Sequence, residues 1–241
     1  GLADIDAKIV RTVGRPEDRF AEDKLRIMRA IRFTAKLGFL LDEETEGAIW
    51  RDGSLSGVSF ERTHDELFNT IATSQNVPRT LELIDRLGMW KHALPGLKVS
   101  TRLDTLVSTR GIDTNDVLVV LALLLDAEDV SMLGKRLSYL KYSKDEIDKI
   151  TFMLKFSKLT IDGGYHARKS FKSSGLTLDQ LSQYFLQRGL PSRGLFEAFV
   201  AYCNTEPVKG DDLLAQGYSG RALGVELERR EGELFKGLMN V

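Results

Sequence analysis

A stripe of charged side chains near residue 25 has the types and the spacing needed to recognise a planar polar ligand. Asp23, Arg26, Arg29 and Arg32 follow one another at intervals of three residues, so a helix would place them along one face. A fixed carboxylate accepts hydrogen bonds and a fixed guanidinium donates them. The alternative is a solvated helix face on which Asp23 pairs with Arg26, and the spacing alone favours this simpler interpretation.

Recognition of a nucleobase is the chemistry that a carboxylate and a guanidinium would support together. Cytosine and adenine each present an amino donor beside a ring-nitrogen acceptor, whereas guanine and uracil present a carbonyl beside an N–H group. An aspartate and an arginine held side by side therefore match cytosine and adenine and mismatch the other two bases. Each polar group left unpaired in a buried site costs about 1 to 3 kcal/mol, so the mismatch would be selective.

The elements that must position these side chains are predicted to be helices. Apolar residues recur mostly at spacings of three and four, and sustained alternation is almost absent, which predicts an all-α array of consecutive small helical domains. The first helix is expected to begin near residues 17–21, after Pro16, and to end at Gly38. Residues 8–13 predict a short strand, and Gly163-Gly164 predicts a loop between modules. Further helices are predicted at 43–51, 59–73, 78–87, 116–127, 132–140, 144–156, 177–188, 195–203 and 223–236.

Composition excludes several kinds of protein. A chain of 241 residues with 42% hydrophobic and 29% charged residues is typical of a globular protein, and its net charge of −1 means that any basic or acidic surface must be local. Cys203 is the single cysteine, which excludes an intrachain disulfide and every cysteine-rich zinc site and favours a reducing cytoplasm. The longest apolar run, residues 117–125, is too short to span a bilayer, and no membrane partner is expected.

Two short patterns imitate metal sites. Asp4 and Asp6 have the spacing that puts two carboxylates on one side of a strand, but no glycine-rich turn precedes them, and we reject them as a metal site. His64-Asp65 would suit a metal-dependent phosphohydrolase, but that class needs a further histidine upstream as a ligand. His92 and His166 are isolated, so we assign no metal ligand in this chain.

The charged stripe also carries a family resemblance. Glu22-Asp23-Lys24-Leu25-Arg26 is similar to the Glu-Asp-x-x-Arg nucleotide-reading motif of class II tRNA nucleotidyltransferases and bacterial poly(A) polymerases. Residues 11–14 and 32–33 resemble its flanks, although Arg15 stands where the family often has an acidic residue. Residues 58–62 with Glu66-Leu67 resemble the family's Ser-x-Glu-Arg neck motif, which is expected to brace the nucleotide-reading helix. Weaker similarity continues at residues 83–97 and 210–224.

The resemblance implies roles for the stripe. Asp23 and Arg26 would pair with the incoming base, Glu22 would support them, and Arg29 and Arg32 would face the nucleotide and its phosphates. ATP and CTP would be the substrates, and Mg²⁺ would be bound by two carboxylates of a head domain. We recognise neither those carboxylates nor the head's glycine-rich turn here, so we expect no catalytic residue in this chain and no activity from it alone.

The resemblance also implies a domain order and an RNA partner. Residues 1–14 would be a remnant edge of the head, 15–76 a neck with the nucleotide-reading helix, 77–162 a body, and 163–241 an RNA-binding tail. The tRNA 3′ end and acceptor arm are the expected partners, and DNA is not. The motifs do not distinguish CCA addition from CC addition, A addition or poly(A) synthesis. A poly(A) polymerase and a stand-alone helical RNA-binding module remain alternatives.

A basic span at residues 135–172 is the candidate RNA surface. It contains ten positive and four negative side chains, and aromatic residues interleave with the charges. Core packing explains most of the aromatic residues, but Tyr139, Tyr142 and Tyr165 could lie against a tRNA backbone. The candidate RNA-binding residues are Lys135, Arg136, Lys141, Lys144, Arg168, Lys169 and Lys172.

Overall fold

The computed structural model describes residues 1–99, 114–158, 163–188 and 193–239, and these residues are mostly helical. They form fifteen helices and one two-stranded sheet, which confirms the predicted all-α class. None of these helices is both long enough and apolar enough to cross a membrane. The chain divides into two compact units, Gly1–Thr151 and Phe152–Val241. The four-domain division stays a prediction, and its boundary at residue 162 lies outside the described residues.

The first unit is built around a central helix, α3. Its apolar side chains Ile27, Met28 and Ile31 are fully buried against α5 and α6, where Leu67 and Ile84 are also fully buried. Three-to-four spacing of these residues therefore produces one continuous apolar core. The elements are α1 (Leu2–Asp6), β1 (Ile9–Val10), α2 (Pro16–Glu22), α3 (Leu25–Leu37), β2 (Leu40–Leu41), α4 (Glu43–Asp52), α5 (Phe60–Ala72), α6 (Val77–Arg86), α7 (Trp90–Ala93), α8 (Val117–Leu124), α9 (Val130–Tyr139) and α10 (Lys144–Phe156). The boundary between the two units lies within α10.

The short strand predicted within residues 8–13 is present at β1. It pairs in parallel with β2, with Ile9 opposite Leu40 and Val10 opposite Leu41. Because β2 directly follows the end of α3 at Gly38, this pairing ties the N-terminal segment to the central helix. Gly38 adopts φ +65°, the left-handed conformation that ends α3 as predicted.

The prediction of one helix from about residue 17 to residue 38 is wrong, because the helix is interrupted at Asp23. Asp23 has extended backbone angles, φ −152° and ψ 107°, and separates α2 from α3. Its Oδ1 accepts a hydrogen bond from the N–H of Leu25 at 3.0 Å. A short acidic side chain that bonds to the backbone two residues later offers the chain an alternative to the helix, and here that alternative prevails.

The second unit has an aromatic core. The Phe156 ring meets the Phe199 ring edge-on at 4.4 Å, and Tyr202 and Phe235 are fully buried 5.2 Å apart. Such ring pairs bury large areas and favour tilted or perpendicular packing. The elements are α11 (Gly164–Ser174), α12 (Leu178–Arg188), α13 (Arg193–Asn204), α14 (Gly210–Ala215) and α15 (Gly220–Leu238).

The loop predicted at Gly163-Gly164 is wrong at Gly164, which is the first residue of α11. A Cβ added to Gly164 would overlap the ring of Phe235, so glycine is needed here for close packing of α11 on α15. We expect Gly164→Ala to lower the free energy of unfolding of the second unit by about 1 to 3 kcal/mol, because the fully buried ring cannot move aside freely.

Urea unfolding followed by circular dichroism measures the effect of Gly164→Ala. Gly224→Ala is the matched control, because Gly224 lies within α15 and its added Cβ meets no atom within 4 Å. This control should be neutral or stabilising by up to about 1 kcal/mol. Equal stability of the two variants would contradict the packing role of Gly164.

Candidate functional site

The corner where α2 meets α3 carries the predicted site residues. A shallow depression at this corner is lined by Thr12, Val13, Arg19 and Arg26. Arg19 donates from Nε to the carbonyl oxygen of Val13 at 2.8 Å and from Nη1 to Oε1 of Glu22 at 2.9 Å. Arg19 thereby links the segment before α2 to the end of α2, and sequence analysis gave it no such role.

Asp23 and Arg26 lie at this corner but do not pair with each other, so the alternative interpretation, in which Asp23 pairs with Arg26 on a solvated helix face, is wrong. Oδ2 of Asp23 accepts a hydrogen bond from Nη2 of Arg62 at 3.0 Å. Nη1 of Arg26 donates to Oε2 of Glu22 at 2.5 Å and to the carbonyl oxygen of Arg19 at 3.3 Å. The carboxylate and the guanidinium are therefore held by different partners, and neither neutralises the other by direct contact.

The acidic members of the site are held in their charged form. Partial burial raises the pKa of Asp23, but the hydrogen bonds from Leu25 and Arg62 outweigh burial and bring its pKa below the ordinary value. The hydrogen bond from Arg26 is the largest cause that lowers the pKa of Glu22. At neutral pH both side chains are acceptors only, which is the property that binding an amino donor requires.

Glu66 holds the second half of the arginine stripe. This buried carboxylate accepts from Nε of Arg32 at 2.6 Å and from Nη1 of Arg29 at 3.2 Å. The guanidinium of Arg32 also lies over the Phe33 ring, 4.5 Å from its centroid, and the Arg32 side chain is only 15% exposed. Arg29, with a 47% exposed side chain, keeps more of its surface free for a ligand. The nucleotide contacts of both arginines stay predictions.

The neck-like motif braces the corner through two side chains of α5. Arg62 contacts Asp23 before α3, and Glu66, one turn further along α5, contacts Arg29 and Arg32. These contacts fit the bracing role that the resemblance implied for the motif. Sequence analysis did not identify Arg62 as the direct partner of Asp23, because the two residues are 39 positions apart.

In the first unit, three of the candidate RNA-binding residues are exposed and one supports the fold. Lys135, Lys141 and Lys144 are exposed. Arg136 donates from Nη1 to the carbonyl oxygen of Gly96 at 3.1 Å and to Oε2 of the buried Glu128 at 3.0 Å. Arg136 therefore balances a buried charge, although its own side chain is 44% exposed.

The predicted RNA surface is wrong for two of its residues, because both are buried. Arg168 is only 4% exposed and pairs with the equally buried Glu231 at 3.2 Å. Tyr142 is buried edge-on against the ring of His64 at 4.6 Å, and burial raises its pKa far above the ordinary value. Lys169 and Lys172, on the same helix as Arg168, remain exposed candidates in the second unit. The basic span is divided between the two units, whose boundary lies between Thr151 and Phe152.

The two patterns that imitate metal sites have local explanations. Asp4 and Asp6 lie in α1 and not in a strand, so residues two apart point in different directions. Oδ1 of Asp4 accepts a hydrogen bond from Nε of Arg11 at 3.2 Å. Nδ1 of His64 lies 3.0 Å from Oδ1 of Asp65, and its ring packs on Phe68 with centroids 4.3 Å apart.

Comparison with known proteins finds similarity to CCA-adding enzymes. No family model matches the chain. The chain is 45% identical over 97 residues to the CCA-adding enzyme of Bacillus subtilis (strain 168), a match that covers 40% of this chain and 24% of that relative. The predicted resemblance is thus confirmed at the level of similarity. The chain spans about a quarter of the length of the curated relative that it matches.

Solved structures share the fold. The chain is similar to the Bacillus stearothermophilus CCA-adding enzyme in complex with CTP, with a TM-score of 0.67, 23% identity, and coverage of 98% of this chain and 62% of that one. It is also similar to the Thermotoga maritima CCA-adding enzyme complexed with tRNA, with a TM-score of 0.63, 17% identity, and coverage of 100% of this chain and 66% of that one. These likenesses extend over nearly all of the chain.

Proposed function

We propose that the chain is the nucleotide-selecting and tRNA-binding part of a tRNA nucleotidyltransferase, which adds C and A to a tRNA 3′ end without a nucleic-acid template. The similarity to CCA-adding enzymes supports the class. The observation that carries the proposal is the braced corner: an ionised Asp23 held by Arg62, beside an Arg26 held by Glu22. A fixed acceptor and a fixed donor are what recognition of cytosine and adenine requires.

Both groups keep unused hydrogen-bonding capacity. Each oxygen of Asp23 accepts one bond in the structure, and a carboxylate has about four acceptor positions in all. Arg26 uses Nη1 for its described bonds, which leaves its Nε and Nη2 groups to donate to a ring nitrogen. In this proposal Asp23 accepts from the amino group of the base, and Arg26 donates to the adjacent nitrogen. Guanine and uracil would set a carbonyl against the carboxylate.

The bracing contacts explain why Asp23 and Arg26 would select between bases instead of adjusting to each base. Arg62 and Leu25 together fix both oxygens of Asp23, and Glu66 fixes the stripe that continues along α3. A pre-organised site cannot rotate its acceptor out of the way of a mismatched base. Arg29 contacts the triphosphate in this proposal, whereas Arg32 mainly secures α3 to α5 through Glu66.

The residues that the structure describes offer no site for the Mg²⁺ that the resemblance implies, because they contain no group of three or more His, Cys, Asp or Glu residues that could hold a metal ion. The helical positions of Asp4 and Asp6 turn their carboxylates apart. We therefore place metal binding and bond formation in a separate catalytic part and derive no step through the metal here. By itself the chain is expected to select a nucleotide without joining it.

Exposed lysines are the proposed contacts to the tRNA backbone. Lys135, Lys141 and Lys144 provide them in the first unit, and Lys169 and Lys172 provide them in the second unit. Lysine binds phosphate as a mobile point charge, so this binding should weaken steeply with salt and show little sequence preference. Arg168 is withdrawn from this set because it is buried.

The test is an incorporation assay on tRNA that lacks its 3′ CCA. A chimera joins this chain to the catalytic part of the Bacillus subtilis relative and receives each nucleoside triphosphate in turn and in mixture. We expect CMP and AMP to be added and addition to stop after three nucleotides, whereas the chain alone adds none. Continued addition of AMP would indicate poly(A) synthesis instead. Equal use of GTP and UTP would contradict the proposed selection.

A further inference from the structure

A second cleft lies in the first unit, away from the α2–α3 corner. It is lined by the C-terminal end of α3, residues 38–41, residues 75–76 and one face of α6, and we call it the β2 cleft. Its volume is about 420 Å³, within the range of natural binding pockets. None of the residues assigned to nucleotide or tRNA binding lines this cleft, so its use is independent of the proposed function.

One wall of the β2 cleft is an open sheet edge. The N–H groups of Leu40 and Asp42 donate to carbonyl oxygens of the β1 segment at 2.9 and 3.0 Å. Backbone groups of alternate residues point to opposite sides of a strand, so those of Phe39 and Leu41 point away from β1. In the described part of the chain the sheet has two strands, and β1 is the sole neighbour of β2. An unpaired strand edge is a template for another strand.

The opposite wall carries positive charge on α6. Arg79 and Arg86 are both exposed and lie on the face that lines the cleft. The guanidinium of Arg79 has no ion-pair partner among the described residues, whereas Arg86 pairs with Glu46 on α4. Among the described residues, Glu82 is the one carboxylate that lines the cleft. A single free guanidinium across from an open strand edge suits a single acidic group and not a polyanion.

Two further features of the β2 cleft bear on what it could bind. Leu40 is 58% exposed at its edge, which is high for a leucine on a strand. Thr34 lines the cleft and is 92% buried, yet its hydroxyl group has no hydrogen-bond partner among the described residues. Buried hydroxyl groups without a partner are uncommon, because the lost hydrogen bond is costly. A bound backbone or its water would supply the missing partner.

We propose that the β2 cleft binds an extended peptide segment of a partner protein, which adds as a third strand along β2 and presents an acidic side chain to Arg79. Main-chain bonds to Phe39 and Leu41 would supply affinity, and Arg79 would supply specificity. A peptide fits better than RNA here, because the open edge offers alternating N–H and carbonyl groups and Glu82 would repel a row of phosphates.

Fluorescence anisotropy of labelled probes on the full chain tests this proposal. The probes are the blocked peptide Val-Glu-Val-Glu-Val, its counterpart Val-Lys-Val-Lys-Val, and a pentauridylate RNA. We expect saturable binding of the glutamate peptide and at least about tenfold weaker binding of the lysine peptide. Absence of saturable binding of the glutamate peptide at millimolar concentration would overturn the proposal. So would pentauridylate binding that Arg79→Glu abolishes.

Arg79→Glu is the decisive variant. Residue 79 is exposed and lies in the first turn of α6, where an acidic side chain is favourable, so the fold should be retained. We expect the variant to reverse the preference between the two peptides. Arg221→Glu, an exposed arginine on α15, is the matched control and should change nothing. Amide hydrogen exchange provides the second measurement: the glutamate peptide should slow exchange at Leu41, and unchanged exchange there would exclude strand addition.

Discussion

Asp23→Ala in an active chimera is expected to reduce the preference for CTP and ATP over GTP and UTP by roughly 10- to 100-fold. The physical reason is the loss of the only fixed acceptor at the α2–α3 corner that the proposal assigns to the amino group of the base. A hydrogen bond to a charged group contributes about 1.5 to 3 kcal/mol, which sets the expected range. Arg26→Ala should have an effect of similar size, because it removes the complementary donor. Single-nucleotide kcat/KM values for all four triphosphates measure both.

Conservative variants distinguish a loss of nucleotide selectivity from a loss of folding stability. Asp23 also receives the Leu25 N–H and the Arg62 guanidinium, so Asp23→Ala loosens the start of α3 as well. Asp23→Asn keeps one acceptor for Leu25 but replaces the other oxygen with a donor, and Arg26→Lys keeps the charge without the planar fork. Both should lose selectivity while unfolding near the parent midpoint. Lys36→Ala, at an exposed site late in α3, is the control. Preserved selection in both conservative variants would contradict the base-recognition role.

Much of the helical fold could be predicted because the relevant information is local. The helix at residues 144–156 was predicted with the bounds that α10 has, from apolar spacing alone. The helix predicted at residues 59–73 is present as α5, and Ser59 caps its start, since the Ser59 hydroxyl oxygen accepts a hydrogen bond from the N–H of Arg62 at 3.3 Å. Four helices were missed. They are α1, α7 and α14, each of six residues or fewer, and α11, whose glycine start and polar composition imitate a loop.

The site geometry was less predictable, because it depends on partners that lie far apart in the chain. Nothing near Arg168 indicates that it pairs with Glu231, 63 positions later, and its basic neighbours favour a surface position. Tyr142 was likewise assigned to a basic surface, although its partner is the ring of His64. The alternative interpretation of the charged stripe paired Asp23 with Arg26, but the partner of Asp23 is Arg62. Residue type and spacing predicted that Asp23 and Arg26 belong to one site, but tertiary packing decides which partners hold them.

Glu231→Ala is expected to lower the free energy of unfolding of the second unit by about 3 to 5 kcal/mol. Glu231 is 2% exposed and accepts hydrogen bonds from Arg168, from the Tyr202 hydroxyl and from the N–H of Val208 at 2.7 Å. Burial and the bond to Glu231 both raise the pKa of Tyr202, so its hydroxyl remains a donor. Without Glu231 the guanidinium of Arg168 would be buried with no counter-charge.

The two tryptophans make this loss of stability attributable to the second unit. Trp50 and Trp90 both lie in the first unit, so their fluorescence follows that unit, whereas circular dichroism follows helices in both. Urea unfolding of Glu231→Ala should shift part of the dichroism transition and leave the fluorescence transition in place. Glu233→Ala, at an exposed position on the same helix, should shift neither.

Replacing both partners of the buried pair tests whether the uncompensated charge is the cause. The double variant Glu231→Ala with Arg168→Met removes the charge that Glu231→Ala strands, and it should recover a large part of the stability, because an apolar side chain tolerates this buried position. If the double variant is as unstable as the sum of the two single variants, the pair contributes by packing, and the electrostatic account of this cluster is wrong. Recovery would show that the charge of Arg168, which led to its prediction as an RNA contact, instead pairs with Glu231 inside the fold.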